Sequence, residues 1–345
     1  MQIDVLTSDS AFRTLRPEWL RLLGETPFQS VFFTPQWQEV WWRHFGAGRE
    51  LSILTVRSDD GRLEGLAPLM RGPCGAEGTR LEFIGDLELC DYFDVLMGAR
   101  RQGEVAQAIA DYLVCEVNED VEIRLDNLSA DSPTAMLLQD SLTREGLLVE
   151  TETIETCPTI VLPPEWNAYL ATLRGKDRHE LRRKIRRAEN AAELDYRVTG
   201  TPEQLGEDLE TFIALHRMSQ QDDKQGFMTP AKVAFFGDMA HQLWSEGWLE
   251  LAFLYADERP IAGLCCMTYG ATYAAYNSGY HPGYGSLSVG IVLFADRIRS
   301  AIRRGYTAFD FLRGNESYKY RFGASDRPLS QFVVRSACPL QESCV

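Results

Sequence analysis

The sequence contains no long hydrophobic run. Its most apolar stretches, such as residues 31–33 and 263–267, fall far short of the roughly 20 residues that a bilayer-spanning helix requires. The amino terminus, MQIDVLTSDS, has neither the basic region nor the apolar region of a secretory signal. We therefore predict a chain without a membrane span and a cytoplasmic location.

Histidine and paired cysteine are also scarce. The chain has five histidines, and its eight cysteines form no CxxC pair. No spacing of histidine and carboxylate is typical of a metal site, and no GxSxG motif is present, so we predict no metal and no serine-hydrolase chemistry. The adjacent Cys265 and Cys266 lie in a strand-like run. The cysteines are therefore interpreted as small buried hydrophobes in a reducing compartment.

Positive charge is in deficit, with 35 lysines and arginines against 50 aspartates and glutamates and a net charge of −15. An acidic surface does not neutralise phosphates, so general DNA binding is excluded. The 345 residues are 45% hydrophobic, which is enough to bury sizeable cores. A chain of this length favours two domains or one duplicated unit.

The order of elements supports duplication. In the first half, strands at 51–57 and 63–71 flank the turn Ser-Asp-Asp-Gly, which predicts a hairpin. In the second half, strands at 248–255 and 261–269 flank an acidic turn. Each hairpin is followed by a further strand, a helix and a strand. A proline cluster near 158–164 marks the boundary, and we predict one unit over residues 1–155 and a second over 156–345.

Residues 174–187 form an unusually basic helix, with eight basic and two acidic side chains. Leu181, Ile185, Ala188 and Ala192 form its apolar stripe, and helical spacing places a row of arginines beside that stripe: Arg178, Arg182 and Arg186. Guanidinium groups bind phosphates and carboxylates bidentately, so the row indicates an anionic ligand. The alternative is a solvated face that pairs with acidic neighbours. Arg183 and Arg187 are expected to face water.

A glycine- and serine-rich loop over residues 277–290 leads from a strand into an amphipathic helix. Backbone N–H groups at such a helix start can bind phosphate oxygens, assisted by the helix dipole. The loop matches neither a Walker motif nor a dinucleotide fingerprint. The alternative is a plain turn in which Ser286 or Ser288 caps the helix.

The segment 309–323 contains two further candidates. Asp310 shares a strand face with apolar residues, so its carboxylate should be partly desolvated. Lys319 follows a Gly-Asn turn among aromatics and could stabilise the negative charge that develops during acyl transfer. The alternative for Lys319 is an ion pair with Asp310 or Glu316.

Three other features have simpler interpretations. His216 follows an apolar stripe and is expected to be a core or cleft-edge histidine. Trp37 and Trp41 are expected to pack in the core of the first half and not to form a sugar platform. The acids Asp91 and Asp94 either line an acceptor cleft or lie in a turn as solvated carboxylates.

The order of RHELRRKIRRAEN, a Gly/Ser-rich loop before a helix, RRGYTAFDFLRG and SYKYRFG resembles the GNAT acyltransferase superfamily. More narrowly, it is similar to CelD-like acetyltransferases associated with cellulose and exopolysaccharide biosynthesis, which are related to Fem peptidyltransferases. The motifs cover residues 173–323. In the first half, FFTPQWQEVWWRHFG and EGLAPLM fit the divergent amino-terminal unit of that family.

The resemblance implies an α/β fold of tandem GNAT-like units, with mixed, mostly antiparallel sheets flanked by helices. It implies direct transfer of an acyl group from acyl-CoA to a small or saccharide-linked acceptor. Lys319 would stabilise the oxyanion or leaving group, Asp310 would act as base or positioning group, and Tyr280 or Tyr318 would protonate the thiolate. The donor would contact the loop and the basic row through the following residues: Ser286, Leu287, Ser288, Val289, Gly290, Arg178 and Arg182.

The sequence also departs from the usual GNAT pattern. GYGSLSVG stands where the pyrophosphate signature is expected, which leaves longer acyl groups and an aminoacyl-tRNA donor open. A Fem-like tRNA-dependent transferase is one alternative, although the coiled-coil insertion common in that family is not evident. A catalytically inactive scaffold subunit in polysaccharide biosynthesis is the other.

Overall fold

The structure, a computed structural model, describes residues 1–75, 78–118, 120–219 and 226–336. The chain forms two compact units: residues 1–156 together with the chain from residue 327, and residues 157–326. No helix in the described ranges is long and apolar enough to cross a membrane. Cys338 and Cys344 lie outside the described residues.

Both units contain helices and strands. The strands are β1 Gln2–Leu6, β2 Glu50–Arg57, β3 Leu63–Cys74, β4 Gly78–Phe83, β5 Leu96–Met97, β6 Val121–Ser129, β7 Leu147–Thr156, β8 Thr159–Val161, β9 Leu194–Val198, β10 Leu249–Ala256, β11 Arg259–Tyr269, β12 Thr272–Tyr280, β13 Ala308–Asp310 and β14 Pro328–Ser336. The helices are α1 Ala11–Thr14, α2 Arg16–Glu25, α3 Pro35–Phe45, α4 Gln102–Glu116, α5 Thr134–Arg144, α6 Trp166–Thr172, α7 Gly175–Ala191, α8 Pro202–Met218, α9 Pro230–Ser245, α10 Val289–Arg303 and α11 Ser317–Arg321.

The first unit is built on a sheet with the strand order β1-β2-β3-β4-β6-β14-β7, and β5 pairs with β3. All its pairings are antiparallel except that of β4 with β6. The pairing of β4 with β6 covers only residues 121–123 of β6, and further along β6 the partners are residues 90–93. Phe93 N–H donates to the Asn127 carbonyl over 3.1 Å, and Asn127 Nδ2 donates to the Cys90 carbonyl over 3.1 Å. Phe93 also stacks on Phe83. Residues 90–93 of the same unit therefore cover the part of β6 that β4 does not reach.

The second unit has the strand order β8-β13-β12-β11-β10-β9, in which only the β12–β13 pairing is parallel. The amphipathic helix α10 packs on this sheet and is anchored by a buried ion pair. Arg297 Nη1 lies 3.0 Å from Glu250 Oε1, and Tyr273 OH donates to the same carboxylate. Because both charges have direct partners, the polar cluster can be buried without an uncompensated charge.

The observed architecture confirms the predicted fold class of mixed, mostly antiparallel sheets flanked by helices. The two hairpins, β2–β3 and β10–β11, are each followed by a strand, a helix and a parallel strand, as the duplication required. The division between the units differs from the predicted domains in one respect. The sequence assigned everything to residue 345 to the second unit, whereas β14 pairs with β6 and β7 in the first.

Several local predictions need correction. The sequence of residues 10–23 predicts a single helix, but this is wrong: α1 and α2 are separate, because Pro17 lies in the first turn of α2, where it cannot continue the preceding helix. Cys74 is half-buried and Cys115 is exposed, although Cys90, Cys157, Cys265 and Cys266 are buried as predicted. Asp91 and Asp94 are both buried, so neither is a solvated turn carboxylate.

The aromatic predictions for the first unit are confirmed. Trp37 and Trp41 are both about 1% exposed. Their indole N–H groups donate to Cys90 Sγ over 3.2 Å and to Asp86 Oδ2 over 2.6 Å. The two tryptophans are therefore core residues whose polar atoms are satisfied inside the unit.

Candidate active site

A cleft of about 400 Å³ in the second unit is lined by the end of β12, the start of α10 and the start of α11. The parallel pairing covers only residues 272–274 of β12, which continues to Tyr280 without β13 beside it. A register shift opposite Cys265 and Cys266 leaves Tyr276 as an extra residue in β12. Ser278 and Tyr280, two residues apart on one strand face, line the cleft. Within the part of the chain that the structure describes, this end of β12 has no strand on its β13 side, so it provides backbone groups that a ligand can reach.

The start of α10 forms another wall of the cleft. Val289, Gly290 and Ile291 line it, and the N–H groups of the first helical turn have no acceptor within the helix. The first intrahelical bond runs from Val292 N–H to the Ser288 carbonyl over 3.1 Å. A Cβ added at Gly290 would meet nothing within 4 Å. The helix therefore presents backbone donors and the positive end of its dipole to open space.

Ser288 joins this wall to the basic helix. It occupies the N-cap position of α10 in the left-handed conformation, with φ 56°, and its side chain makes no capping bond. Instead, Arg187 Nη2 donates to Ser288 Oγ over 3.0 Å. The expectation that Arg187 faces water is therefore wrong. Its guanidinium is half-buried at the helix start, where it adds positive charge beside the free N–H groups.

The opposite wall comes from α11 and the turn before it. Glu316, Ser317 and Tyr318 line the cleft, so the structure brings Tyr318 and Tyr280 to the same cavity. The Tyr318 ring contacts Phe294 and Phe311. Burial, and secondarily the charge of Glu316, raise the pKa of the Tyr318 hydroxyl, so it stays protonated at neutral pH.

Lys319 lies beneath this wall and is about 2% exposed. Its Nζ donates to the carbonyls of Leu312, Arg313 and Gly314 over 3.1, 2.7 and 3.0 Å. It also lies 3.0 Å from Glu316 Oε2, which is one of the ion pairs weighed from the sequence. Because an ammonium group has three hydrogens, these contacts occupy it, and Lys319 does not line the cleft.

Asp310 is also displaced from the cleft. It is about 1% exposed, as its strand position predicted, and its Oδ1 accepts the Leu312 N–H over 2.7 Å. Leu312 has a φ of 56°, so this bond supports a left-handed residue in the turn that follows β13. Asp310 and Lys319 therefore both stabilise the turn after β13, Asp310 through the Leu312 N–H and Lys319 through the Leu312 carbonyl.

The arginine row lies in a different cavity from the loop. Arg178, Arg182 and Arg186 line one groove of about 720 Å³, and none of them lines the cleft at the start of α10. Of the five loop residues proposed for the donor, Ser288, Val289 and Gly290 line the cleft. Ser286 and Leu287 lie in the 3₁₀ turn Pro282–Leu287 just before it.

Residues of the types that bind metal ions do not cluster in the described ranges. There, no group of three or more histidine, cysteine, aspartate or glutamate side chains could hold a metal ion. His216, about 1% exposed, packs between the rings of Phe212 and Phe227, in agreement with its interpretation as a core histidine.

Sequence reasoning missed several contributors to the cleft and its walls, among them Ser278, Glu316 and Arg187. Ser278 could have been found from the strand period, since it precedes Tyr280 by two residues. Glu316 was considered only as a partner of Lys319. Arg187 belongs to the basic segment, but its contact with Ser288 joins residues 101 positions apart, and no local pattern signals that contact.

Comparison with known proteins gives one family match in the second unit. Residues 175–320 match the family model described as an acetyltransferase (GNAT) domain, a segment that runs from the first residue of α7 into α11. A search of curated protein sequences gives no significant match. The family match and the fold support a transferase, as the sequence predicted.

Solved structures share the fold over nearly the whole chain. The crystal structure of FemX has a TM-score of 0.65 at 14% identity and covers 96% of this chain and 97% of its own. A conserved protein of unknown function from Bacteroides thetaiotaomicron has a TM-score of 0.62 at 13% identity, covering 97% and 100%. The C-terminal domain of a putative lysylphosphatidylglycerol synthetase from Agrobacterium fabrum has a TM-score of 0.55 at 12% identity, covering 94% and 92%. At these identities the likeness concerns the fold alone.

Proposed function

We propose that the protein transfers an acyl group from a coenzyme A thioester directly to an amine or hydroxyl acceptor. The observation that carries this proposal is the start of α10, where Val289 and Gly290 line the cleft beside the end of β12. The free backbone N–H groups of the first turn of α10, next to the Arg187 guanidinium, can donate hydrogen bonds to the pyrophosphate of CoA. The GNAT family match over residues 175–320 supports the same assignment.

In the proposed reaction the acceptor nitrogen or oxygen attacks the thioester carbonyl carbon. The C–S bond breaks, and the acceptor's proton and the CoA thiolate must both be accommodated. Glu316 is the carboxylate among the residues that line the cleft, so we assign it to accept the acceptor's proton, directly or through water. Tyr318, held protonated by burial, is assigned to protonate the thiolate, and Tyr280 is its alternative.

The oxyanion requires hydrogen-bond donors that are fixed before the reaction begins. Among the described residues, the edge of β12 between Asn277 and Tyr280 has no strand partner on the β13 side, so its outward N–H groups can serve. The sequence predicted this role for Lys319. We assign Lys319 instead to a positioning role: its hydrogen bonds to the carbonyls of residues 312–314 fix the turn, and its ion pair positions the Glu316 carboxylate. Asp310 is assigned the positioning role that the sequence left open.

The finer assignments follow the sequence resemblance. We propose a small or saccharide-linked acceptor of the kind suggested by CelD-like acetyltransferases, and a cytoplasmic location, which suits reduced thiols such as Cys265 and Cys266. The fold likeness to FemX favours a Fem-like aminoacyl-tRNA-dependent transferase as the second candidate. An inactive scaffold subunit would keep the cleft without turnover.

Calorimetric titration of acetyl-CoA, a long-chain acyl-CoA and free CoA tests the donor site. We expect micromolar binding that weakens at least about tenfold in Gly290→Leu, because the new side chain projects into the cleft. Leucine is a better helix former than glycine, so α10 should persist. The matched control is Gly206→Leu in α8, at an exposed helical glycine that also has open space around its Cβ position.

Each outcome separates the candidates. Thiol release from an acyl-CoA in the presence of an amine mixture would identify the active enzyme, and binding without release would favour the scaffold. If none of the three CoA compounds binds, the CoA assignment is wrong. Salt-sensitive binding of aminoacyl-tRNA would then support the Fem-like candidate.

A further inference from the structure

A second cavity in the same unit is lined by α6, α7 and α10. It has a volume of about 720 Å³, within the usual range of small-molecule sites. Its wall combines a row of cations with an aromatic ring and neutral or acidic hydrogen-bonding groups. The lining residues are Trp166, Asn167, Leu170, Gly175, Arg178, His179, Arg182, Ile185, Arg186, Glu189 and Arg299.

The arginines of this groove have no acidic partners among the residues that the structure describes. Arg178 donates only a long 3.4 Å bond to the Leu170 carbonyl. On another face of the same helix, Arg183 pairs with Glu180 over 2.7 Å. In a chain with 50 acidic residues, cations left unpaired along one groove form a concentrated positive field. That field favours a ligand that brings its own negative charge.

Arg299 closes the groove from α10. Its guanidinium lies 4.8 Å from the centre of the Trp166 ring, which fixes it by a cation–π contact. Its Nε is buried and has no hydrogen-bond partner within the described ranges. Leaving a buried charged donor unsatisfied is costly, so an acceptor supplied by a ligand would be stabilising here.

The groove is separate from the donor cleft, since the two cavities share no lining residue. Gly290 at the cleft and Arg299 at the groove are nine residues apart on α10, which corresponds to about 14 Å along the helix axis. A ligand in the groove would therefore be a second molecule or a distant part of a long one.

We propose that this groove binds a small molecule that carries two or more phosphoryl groups. Arg178, Arg182 and Arg186 follow one another at one-turn intervals and span about 12 Å along α7, so a chain of phosphoryl groups can engage several guanidinium forks at once. One carboxylate would neutralise only one of them. The overall charge of −15 disfavours a long polyanion that extends beyond the groove, and Trp166 and Asn167 can contact an uncharged portion of the ligand.

Calorimetric titration of inorganic tripolyphosphate into the full-length protein tests the site. We expect the double variant Arg182→Gln/Arg186→Gln to bind at least about tenfold more weakly, since charge-assisted hydrogen bonds are lost. Both side chains are exposed, so the fold should persist, which a thermal melt will verify. Arg183→Gln removes one guanidinium charge from the same helix outside the groove and should change the affinity less than about twofold.

Two further arms test the location and the ligand class. Gly290→Leu should bind tripolyphosphate like the wild type, whereas loss in that variant alone would place the anion in the donor cleft and overturn the proposal. Fluorescence quenching by a nucleoside triphosphate should weaken in Trp166→Phe. Equal binding by the wild type and the double variant would also overturn the proposal. Much tighter binding of a 12-nucleotide single-stranded RNA that depends on the same arginines would overturn the proposal as well, because the partner would then be a nucleic acid.

Discussion

Arg187 on α7 and Ser288 at the start of α10 are joined by a 3.0 Å hydrogen bond between residues 101 positions apart. The bond replaces an ordinary side-chain cap. Ser288 itself lies in a left-handed conformation, with φ 56° and ψ 43°, that L-residues other than glycine rarely adopt. The geometry of the donor wall therefore depends on a contact between two helices.

This relationship predicts an unusual order of stabilities at position 288. Ser288→Ala should lose about 1 kcal/mol of the free energy of unfolding, since it removes the acceptor for Arg187 and retains the left-handed strain. Ser288→Gly removes the same acceptor but also relieves the strain, so it should lose less. Urea denaturation followed by circular dichroism measures both. A glycine variant less stable than the alanine variant would show that the left-handed conformation carries no cost here.

A second prediction concerns Lys319. Lys319→Ala should lower the free energy of unfolding by about 2–4 kcal/mol, because the buried carbonyls of residues 312–314 lose their common donor. Turnover should fall as well, since Glu316 loses its ion-pair partner. The control is Lys176→Ala, an exposed lysine of α7 that should stay within about 0.5 kcal/mol of the wild type.

The two roles of Lys319 are separable by comparing stability with turnover. A Lys319→Ala protein of wild-type stability that has lost turnover would restore the oxyanion role predicted from the sequence. Loss of stability together with loss of turnover, with substrate affinity retained in the folded fraction, would support the positioning role.

Much of the fold was predictable because its signals are local. The hairpins β2–β3 and β10–β11 depend on short polar turns between alternating strands, and such turns can be recognised in the sequence. The pairing of β14 with β6 and β7 could not be predicted, since strand partners distant in sequence are chosen by the packed sheet. Pro17 was a visible signal for the break between α1 and α2 that the helical periodicity obscured.

The candidate site was only partly predictable for the same reason. The loop before α10 and the two tyrosines were found, because a helix start and a strand end can be recognised locally. The sequence predicted that Lys319 and Asp310 lie near the reacting atoms. Both side chains instead form hydrogen bonds with backbone groups of the turn after β13. Likewise, helical spacing predicted the row of Arg178, Arg182 and Arg186. That this row lies in a different cavity from the loop could not be predicted, because it depends on how α7 packs against α10.

The third prediction concerns pH and the first unit. Asp94 is about 5% exposed and accepts a 2.8 Å hydrogen bond from Val95 N–H. Burial raises the pKa of the Asp94 carboxyl to about 7, whereas an unfolded chain has a value of about 3.9. Between these values the folded protein retains a proton that the unfolded chain releases. The contribution of Asp94 to stability is therefore fully present below about pH 4 and is lost as the pH rises through 7.

Asp94→Asn should remove this dependence, because the amide does not titrate and its oxygen can still accept from Val95. From pH 4 to pH 7.5, the free energy of unfolding of the wild type should fall relative to that of the variant by an amount on the order of a few kcal/mol. Asp59→Asn, at an exposed position in the same unit, should keep the wild-type slope. Urea denaturation at half-unit pH steps measures all three proteins. Parallel curves for the wild type and Asp94→Asn would mean that Asp94 is ionised in the folded protein throughout this range, so that Val95 N–H and the neighbouring hydroxyls outweigh the cost of burying its charge.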